Sequence, residues 1–396
     1  MKFYQKLTWK FLQLTYGVYI KKNFHISCIK NFKEPKPPFI LLANHFFFSD
    51  AFFIAKFLKN PVHYLGSDEI TNFFQQILDN LVGLLYIEKG KIDPKAVMKM
   101  FKIIKAGGSI GIFPEGDGSW DGETNHFSDK IIKLIKRFNV PIITVRITGG
   151  YLTKPRWSSN FRSGKIKLEF DKIDQSEIEL LNEKELYQNI YGKIYNNELK
   201  NPEVNEIEYK SNNLAEGIHN LLWKCPVCEF TDSIMGVRNK IICTRCKTEW
   251  ELSGNMKIHP HTSGLKDLKD WSEWQKHVIK NIVSDAKKGL EGLTQSFGVE
   301  VHEFDVIKKG FFRSRILYKK YADGNILLTK ENLIFTPVGN EKKIVFPVKE
   351  IKFLVECVNK FIKFYYDNKP YLIKFKNMNS SKYIYFIEEL NKPDFF

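Results

Sequence analysis

A histidine and an aspartate lie five positions apart at the end of an apolar run, a spacing that could support acid–base chemistry. Residues 39–43 are strand-like, His45 follows them, and Asp50 begins a helix-like run. A tight strand-to-helix corner can turn two such side chains toward each other. A carboxylate bonded to one imidazole nitrogen fixes the tautomer and leaves the other nitrogen free as a base. No serine or cysteine nucleophile motif accompanies the pair, which predicts a base that acts on a substrate hydroxyl.

The same pair has an ordinary structural interpretation. Asp50 could be a helix N-cap and His45 a hydrogen-bonded loop residue. Three downstream segments bear on the choice, namely a short apolar run over residues 83–89, a strand-like run broken by Pro-Glu-Gly over residues 111–116, and an apolar strand over residues 140–145. Taken singly, each is only a strand followed by a loop.

Together, in this order and at these spacings, the four segments resemble the glycerolipid acyltransferase family, which includes the 1-acylglycerol-3-phosphate acyltransferases. The family's blocks are Asn-His-x4-Asp, Gly-x-x-Phe-Ile-x-Arg, Phe-Pro-Glu-Gly followed by Thr-Arg-Ser, and a Val-Pro-Ile-Val-Pro-Val-like strand. The matching positions are Asn44, His45 and Asp50, then Gly83, Tyr86, Ile87 and Lys89, then Phe113, Pro114, Glu115 and Gly116, and finally residues 140–145. The resemblance covers about residues 1–200.

The resemblance implies an acyl transfer that starts from an acyl thioester. His45 would remove a proton from the acceptor hydroxyl, and Asp50 would orient His45. The donor would be acyl-CoA or acyl carrier protein, and the acceptor lysophosphatidic acid or another lysophospholipid. The residues expected to form the acceptor site are Asn44, Gly83, Lys89, Phe113, Pro114, Glu115, Gly116 and Arg146.

Two departures concern the groups that the family uses to hold the acceptor's phosphate. Asp117-Gly118-Ser119 replaces Thr-Arg-Ser, and Lys89 replaces an arginine, giving a point charge in place of a bidentate fork. Lys89 and Arg146 would have to share the role of the missing arginine. Gaining Asp117 weakens the case for a phosphomonoester acceptor, whereas a lysophospholipid or another hydroxyl acceptor fits the pattern.

Four cysteines form a second constellation with the spacing Cys-x2-Cys-x14-Cys-x2-Cys. The residues are Cys225, Cys228, Cys243 and Cys246. Four thiolates in two such knuckles favour tetrahedral zinc in a closed, structural site. Iron or a redox role is the alternative. Acidic residues near the cysteines offset the charge of the local arginines and lysines, so we expect the zinc site to have a structural or docking role. Nucleic acid is not an expected partner.

The net charge of +16 is concentrated at the two ends of the chain. Residues 1–40 hold eight lysines and one glutamate, which suits an anionic lipid surface. Phe3, Leu7, Phe11, Leu14 and Val18 fall on one helical stripe, with Lys2, Lys6 and Lys10 on the neighbouring face. This pattern predicts a helix lying in a membrane interface, with an ordinary amphipathic helix as the alternative.

Alternating short strands and amphipathic helices predict an α/β fold, with a mixed sheet flanked by helices. Helices are expected at residues 93–106, 128–139 and 183–196. The predicted domains are an acyltransferase domain over residues 1–200, a zinc ribbon over 215–258, a helical linker over 259–299 and a β-rich domain over 300–396. Short strands followed by one closing helix resemble the pleckstrin-homology and GRAM-type lipid-binding modules, and a generic small β domain is the alternative.

The sequence therefore predicts an acyltransferase that is cytoplasmic and peripheral on the inner face of a membrane. The alternative is a different class of protein, a catalytically inactive zinc-ribbon adaptor acting at a membrane surface or on nucleic acid. The intact Asn-His-x4-Asp and Phe-Pro-Glu-Gly blocks favour the enzyme.

Overall fold

The computed structural model describes residues 1–67, 77, 80–87, 94–287, 292–309, 314–357, 361–376 and 379–392. The chain divides into two compact units. The first contains Met1–Glu88, Ile92–Leu214 and Ser253–Lys257, and the second contains Lys89–Lys91, Ala215–Leu252 and Ile258–Phe396. The division into four domains stays a prediction.

Within the described residues, a seven-stranded sheet forms the centre of the first unit, in the order β1-β7-β6-β2-β5-β3-β4. Its strands are β1 (Ile26–Lys30), β2 (Ile40–Ala43), β3 (Val62–Ser67), β4 (Leu85–Ile87), β5 (Ser109–Ile112), β6 (Ile142–Thr148) and β7 (Ile166–Ile173). The strands pair in parallel except β6 and β7, which are antiparallel. Strands β2 and β5 are buried along their whole length, as expected where parallel strands are covered on both faces. The predicted α/β class is confirmed.

Helices accompany this sheet in the first unit. They are α1 (Phe3–Asn23), α2 (Asp50–Ala55), α3 (Pro94–Lys105), α4 (Asp129–Phe138), α5 (Gly150–Thr153), α6 (Gln175–Leu180), α7 (Glu183–Ile194) and α8 (Pro202–Asn205). Ile132 and Ile135 of α4 and Ile190 of α7 are fully buried in one apolar core with the central strands. Helix α7 begins with a capping box between Asn182 and Glu185, which satisfies otherwise unpaired backbone donors.

The second unit begins with a small five-stranded sheet among its described residues, in the order β12-β11-β10-β9-β8. The strands are β8 (Ile234–Val237), β9 (Lys240–Cys243), β10 (Glu249–Leu252), β11 (Lys257–Thr262) and β12 (Leu265–Asp267), and helix α9 (Leu268–Lys287) follows. Strands β11 and β12 thus occupy the start of the segment that the sequence suggested as a helical linker. The buried Trp250 explains this, because its Nε1 donates to Thr262 Oγ1 at 2.9 Å and ties β11 to β10.

The rest of the second unit is an antiparallel β-rich region, which confirms that part of the predicted fold class. Its described strands form one sheet in the order β16-β15-β14-β13-β19-β18-β17. They are β13 (Gly292–Lys309), β14 (Ser314–Thr329), β15 (Asn332–Pro337), β16 (Ile344–Pro347), β17 (Lys352–Cys357), β18 (Phe361–Tyr366) and β19 (Lys369–Lys374), and helix α10 (Ser381–Leu390) closes the chain. Tyr383 and Phe386 of α10 are buried in one core with Val283 of α9. The similarity to pleckstrin-homology and GRAM-type modules stays a prediction.

No helix in the described part of the chain is both long enough and apolar enough to cross a bilayer.

Candidate functional site

The loop between β2 and α2 brings His45 and Asp50 together. His45 Nδ1 lies 2.9 Å from Asp50 Oδ2, and the same oxygen accepts hydrogen bonds from the backbone N–H groups of Phe46 (2.7 Å) and Phe47 (3.0 Å). The N-cap of α2 is Ser49, so Asp50 is the first helical residue and its side chain turns back to the loop. An ionised carboxylate only accepts, so Nδ1 carries the hydrogen and Nε2 is the basic nitrogen.

The imidazole of His45 is held on one face and open at its edge. The ring stacks on Phe113 with centroids 4.2 Å apart, and Phe113 in turn stacks on Tyr64. The His45 side chain is 21% exposed, whereas the Asp50 side chain is fully buried. Among the described residues, Nε2 of His45 has no hydrogen-bond partner. A substrate hydroxyl can therefore reach the nitrogen that a general base would use.

Glu115 of the Phe-Pro-Glu-Gly turn supports the backbone of this loop. Its Oε1 accepts from the His45 N–H at 2.7 Å, and its Oε2 accepts from the Asn125 N–H at 2.6 Å. Burial, with a further contribution from the Asp50 charge, raises the pKa of Glu115 to about 8. Both carboxyl oxygens are thus used within the protein. Gly116 follows with φ +75°, a backbone conformation that favours glycine in this turn.

Asn44 also fixes the start of the loop that carries His45. Its side chain is fully buried, Nδ2 donates to the Ile147 carbonyl at 2.9 Å, and Oδ1 accepts from the Ile147 N–H at 2.7 Å. Asn44 therefore ties the end of β2 to β6. Its polar atoms are occupied by backbone, so its role in this arrangement is to position His45.

Three other residues expected at the acceptor site lie elsewhere or are not described. The Gly83 carbonyl is 2.7 Å from His63 Nδ1, on the β3 side of the sheet. Arg146 Nη2 donates to the Gly192 carbonyl of α7 at 2.9 Å, and its Nη1 lies 4.0 Å from Glu169 Oε2 of β7. Lys89 lies outside the described residues.

Residues 117–120 pack directly on the loop that carries His45, a contact that no motif in the sequence indicated. The Ser119 N–H donates to the His45 carbonyl at 3.0 Å. A Cβ at Gly118 would come within 2.6 Å of the Phe46 carbonyl oxygen, so the close approach requires glycine. Arg156 forms an ion pair with Asp117 and so joins this segment from a distant part of the chain.

Glu198 is a second buried carboxyl group that sequence reasoning missed. It is fully buried, and both its oxygens accept from the Gly149 N–H, at 2.6 and 2.9 Å. Asn196 donates to Glu198 at 3.0 Å and to the Ile147 carbonyl at 3.2 Å, which connects the carboxyl group to the same backbone that holds Asn44. Burial raises the pKa of Glu198 to about 8.

The four cysteines of the second unit converge as the spacing predicts. Their sulfur atoms all lie within 4.8 Å of one another, with Cys225 Sγ 3.8 Å from Cys246 Sγ and Cys228 Sγ 3.7 Å from Cys243 Sγ. Zinc–sulfur bonds in a tetrahedron place neighbouring sulfurs about 3.8 Å apart. The donor set and its spacing therefore fit a structural zinc ion.

The two cysteine knuckles repeat one backbone geometry. The Glu229 N–H donates to the Cys225 carbonyl and the Lys247 N–H to the Cys243 carbonyl, each at 3.0 Å. Glu229 and Lys247 follow the second cysteine of each pair and both have positive φ, 56° and 64°. The repeated turn aims two sulfurs from each knuckle at one point.

A family model matches the part of the chain that holds the first site. Residues 23–148 match the family model described as Acyltransferase. Among solved structures, the chain is similar to the 1-acyl-sn-glycerophosphate (LPA) acyltransferase PlsC from Thermotoga maritima, with 19% identity over 48% of this chain and 78% of that chain and a TM-score of 0.42. It is also similar to the C-terminal domain of an unknown protein from Leishmania infantum, with 12% identity over 30% of this chain and 99% of that chain and a TM-score of 0.17. No curated protein matches the chain. The matched range includes His45, Asp50 and Glu115, so the similarity to the acyltransferase family covers the residues of the first site.

Proposed function

We propose that the protein transfers a fatty acyl group from an acyl thioester to a hydroxyl group of a glycerolipid-type acceptor of the lysophospholipid class. The observation that carries this proposal is the His45–Asp50 pair at 2.9 Å, with Nε2 open, inside the range that matches the acyltransferase family. Acyl-CoA or acyl carrier protein would supply the thioester.

The proposed mechanism uses His45 first as a base and then as an acid. Nε2 removes the proton of the acceptor hydroxyl while its oxygen attacks the thioester carbonyl. The tetrahedral intermediate then collapses to the ester, and the departing thiolate takes the proton from the imidazolium. Asp50 stabilises the imidazolium throughout, and a positioned general base of this kind contributes about 10²–10⁴-fold in rate.

Direct transfer, without an acyl-enzyme, fits the surroundings of the base. Ser119 approaches the loop through its backbone, but its hydroxyl donates to the Glu123 carbonyl at 2.7 Å and accepts from the Gly122 N–H at 3.0 Å. That hydroxyl is committed to a turn. The nucleophile in the proposal is therefore the substrate's own hydroxyl.

The proposal is tested by incubating the purified protein with mixed lysolipids and acyl thioesters and identifying products by mass. Acyl transfer to a lysolipid should occur with the wild type and with His126→Ala, since His126 is an exposed histidine of the same unit that bonds Tyr187. It should be lost with His45→Ala, while folding and zinc content are retained. Binding of a partner that survives His45→Ala, fails with Cys225→Ser and occurs without any acyl transfer would instead support the inactive adaptor.

We further propose that the enzyme works on an anionic membrane surface, on the cytoplasmic side. Helix α1 exposes an apolar stripe of four residues, each more than 60% exposed: Phe3, Leu7, Phe11 and Leu14. The opposite face holds the helix to its unit, because Trp9 is buried and Gln13 donates to the Ala55 carbonyl at 2.6 Å. Lysines beside such a stripe attract anionic lipid. Val18 belongs to residues whose side chains are not described.

Vesicle sedimentation tests the membrane proposal. The double variant Leu7→Ser/Phe11→Ser should lose binding to vesicles that contain anionic lipid. Leu180→Ser should not, although Leu180 is an equally apolar residue that is 85% exposed at the end of α6. Equal binding of all three proteins would contradict the assignment of α1.

A further inference from the structure

An arginine from a distant part of the chain lies beside the loop that carries the catalytic base. Arg156 forms an ion pair with Asp117, and its Nη1 donates to the Gly118 carbonyl at 2.8 Å. Its guanidinium lies 4.6 Å from the centre of the Trp120 ring. The arginine thus binds residues 117–120 through an ion pair, a hydrogen bond and a cation–π contact.

Residues 117–120 are in direct contact with the candidate active site. Gly118 packs on the Phe46 carbonyl oxygen, and the Ser119 N–H donates to the His45 carbonyl at 3.0 Å. The Arg156–Asp117 pair is therefore connected to the loop that carries the imidazole through Gly118 and Ser119. An acceptor whose hydroxyl reaches His45 would place its head group near this pair.

The pair offers little positive charge to a ligand. The Arg156 side chain is only 10% exposed, whereas the Asp117 carboxylate that neutralises it is 36% exposed. A head group approaching from solvent meets the carboxylate more readily than the guanidinium. An arginine that is buried in an ion pair stabilises the protein's own segment. Its guanidinium is poorly placed to form two parallel hydrogen bonds with a phosphate.

Two further carboxyl groups contact the loop, among the residues that the structure describes. Asp50 and Glu115 contact the His45 backbone or side chain, and the Asp50 charge contributes to raising the pKa of both Glu115 and Glu198. Arg146, the other described cation predicted for phosphate binding, contacts α7. A phosphate monoester carries between about one and a half and two negative charges at pH 7, so binding it here would require unpaired cations.

We propose that Asp117, by neutralising Arg156, makes the acceptor site select a lysophospholipid with a phosphodiester head group over one with a phosphate monoester. This inference rests on the proposed acyl transfer and adds the substrate class. Arg156 and Asp117 are, in this proposal, specificity-determining residues, and neither takes part in proton transfer.

The test compares kcat/KM for lysophosphatidylglycerol and lysophosphatidate that carry the same acyl chain. The wild type should prefer the phosphodiester by about tenfold or more, because one extra negative charge at close range is worth roughly that factor. Asp117→Asn should shift the ratio toward lysophosphatidate by about tenfold. Arg156→Gln should shift it the opposite way, which general damage to the fold would not do.

Asp174→Asn is the matched control, since it removes a carboxylate from the separate Lys172–Asp174 pair and should leave the ratio unchanged. A wild type that prefers lysophosphatidate would overturn the inference, as would Asp117→Asn and Arg156→Gln variants that fold and keep the wild-type ratio. If transfer to either acceptor depends on His45, such a result leaves the proposed function standing. Absence of any His45-dependent transfer overturns the function and this inference together.

Discussion

The two polar sites of this molecule differ in what holds them together. In the first unit, protein groups position the His45–Asp50 pair, since Asp50 Oδ2 accepts from two backbone N–H groups and from His45. In the second unit, four thiols lie within 4.8 Å of one another, a spacing that deprotonated sulfurs cannot keep without a cation between them. The fold alone positions the first site, whereas a metal ion would complete the second.

This difference predicts which perturbation each site tolerates. A site built from backbone hydrogen bonds should lose chemistry but keep its structure when one side chain changes. A site that is completed by a metal should lose its structure when the metal is removed.

The largest expected effect is therefore on the cysteine cluster. Cys243→Ser or removal of zinc by a chelator should unfold the ribbon, because structural zinc contributes roughly 10–16 kcal/mol of apparent binding free energy at pH 7. Metal analysis and limited proteolysis of residues 215–267 would measure this. Cys28→Ser, a change at a free cysteine of β1, should have no such effect. Protease resistance that survives complete metal loss would show that the ribbon does not depend on zinc.

Asp50→Asn should give the next largest effect, confined to catalysis. The amide can turn either an oxygen or an NH₂ group toward Nδ1, so the imidazole loses its fixed tautomer and its counter-charge. We expect kcat to fall by about 10²–10⁴-fold with little change in the melting temperature. Asp129→Asn, which also changes an aspartate in the first turn of a helix, is the control. Comparable losses in both variants would mean that Asp50 matters only as a helix residue.

Glu115→Gln separates a positioning role from an acceptor-binding role. The NH₂ group of the new side chain would face one of the two backbone N–H groups that Glu115 now accepts from, and two donors cannot form a hydrogen bond. The His45 loop should therefore shift, and kcat should fall by about tenfold. The KM for the acceptor should change less than kcat. An increased acceptor KM at unchanged kcat would instead place Glu115 in contact with the acceptor, as the sequence resemblance implied.

The smallest effect is a pH dependence of stability in the first unit. The pKa of Glu198 is raised to about 8, so the native state binds a proton more tightly than the unfolded chain does. Its stabilising contribution is fully present below the ordinary pKa of a glutamate and is lost as the pH rises through 8. Glu198→Gln should therefore remove a slope of no more than about 1.4 kcal/mol per pH unit. Hydrogen exchange of the β6 amides between pH 5 and pH 8, corrected for intrinsic rates, measures this slope. An unchanged slope in the variant would mean that Glu198 stays ionised.

Local patterns in the sequence predicted the elements and the nearest site contacts. Helices expected at residues 93–106, 128–139 and 183–196 are found at Pro94–Lys105, Asp129–Phe138 and Glu183–Ile194. Their apolar periodicity and caps, such as the Ser128 side chain that accepts from the Lys130 N–H, are carried by neighbouring residues. The convergence of His45 with Asp50, and of the cysteines, likewise depends on short spacings.

The contacts that sequence could not supply are those set by packing between distant segments. Arg156 reaches Asp117 and Glu198 reaches Gly149 only because loops from separate elements meet at the ends of the sheet strands. The contacts of Arg146 depend on which face of β6 it occupies, and a shift of one residue in a strand exchanges the two faces. The spacing of residues along the chain does not predict any of these three contacts.

The most direct test of the central claim is the single-turnover rate of acyl transfer in wild type and His45→Ala, with the ester product identified by mass. If His45 is the base that removes the acceptor's proton, the rate should fall by at least about 10²-fold while thioester binding is preserved. A His45→Ala protein that forms the same ester at a rate within a few-fold of wild type would contradict the account.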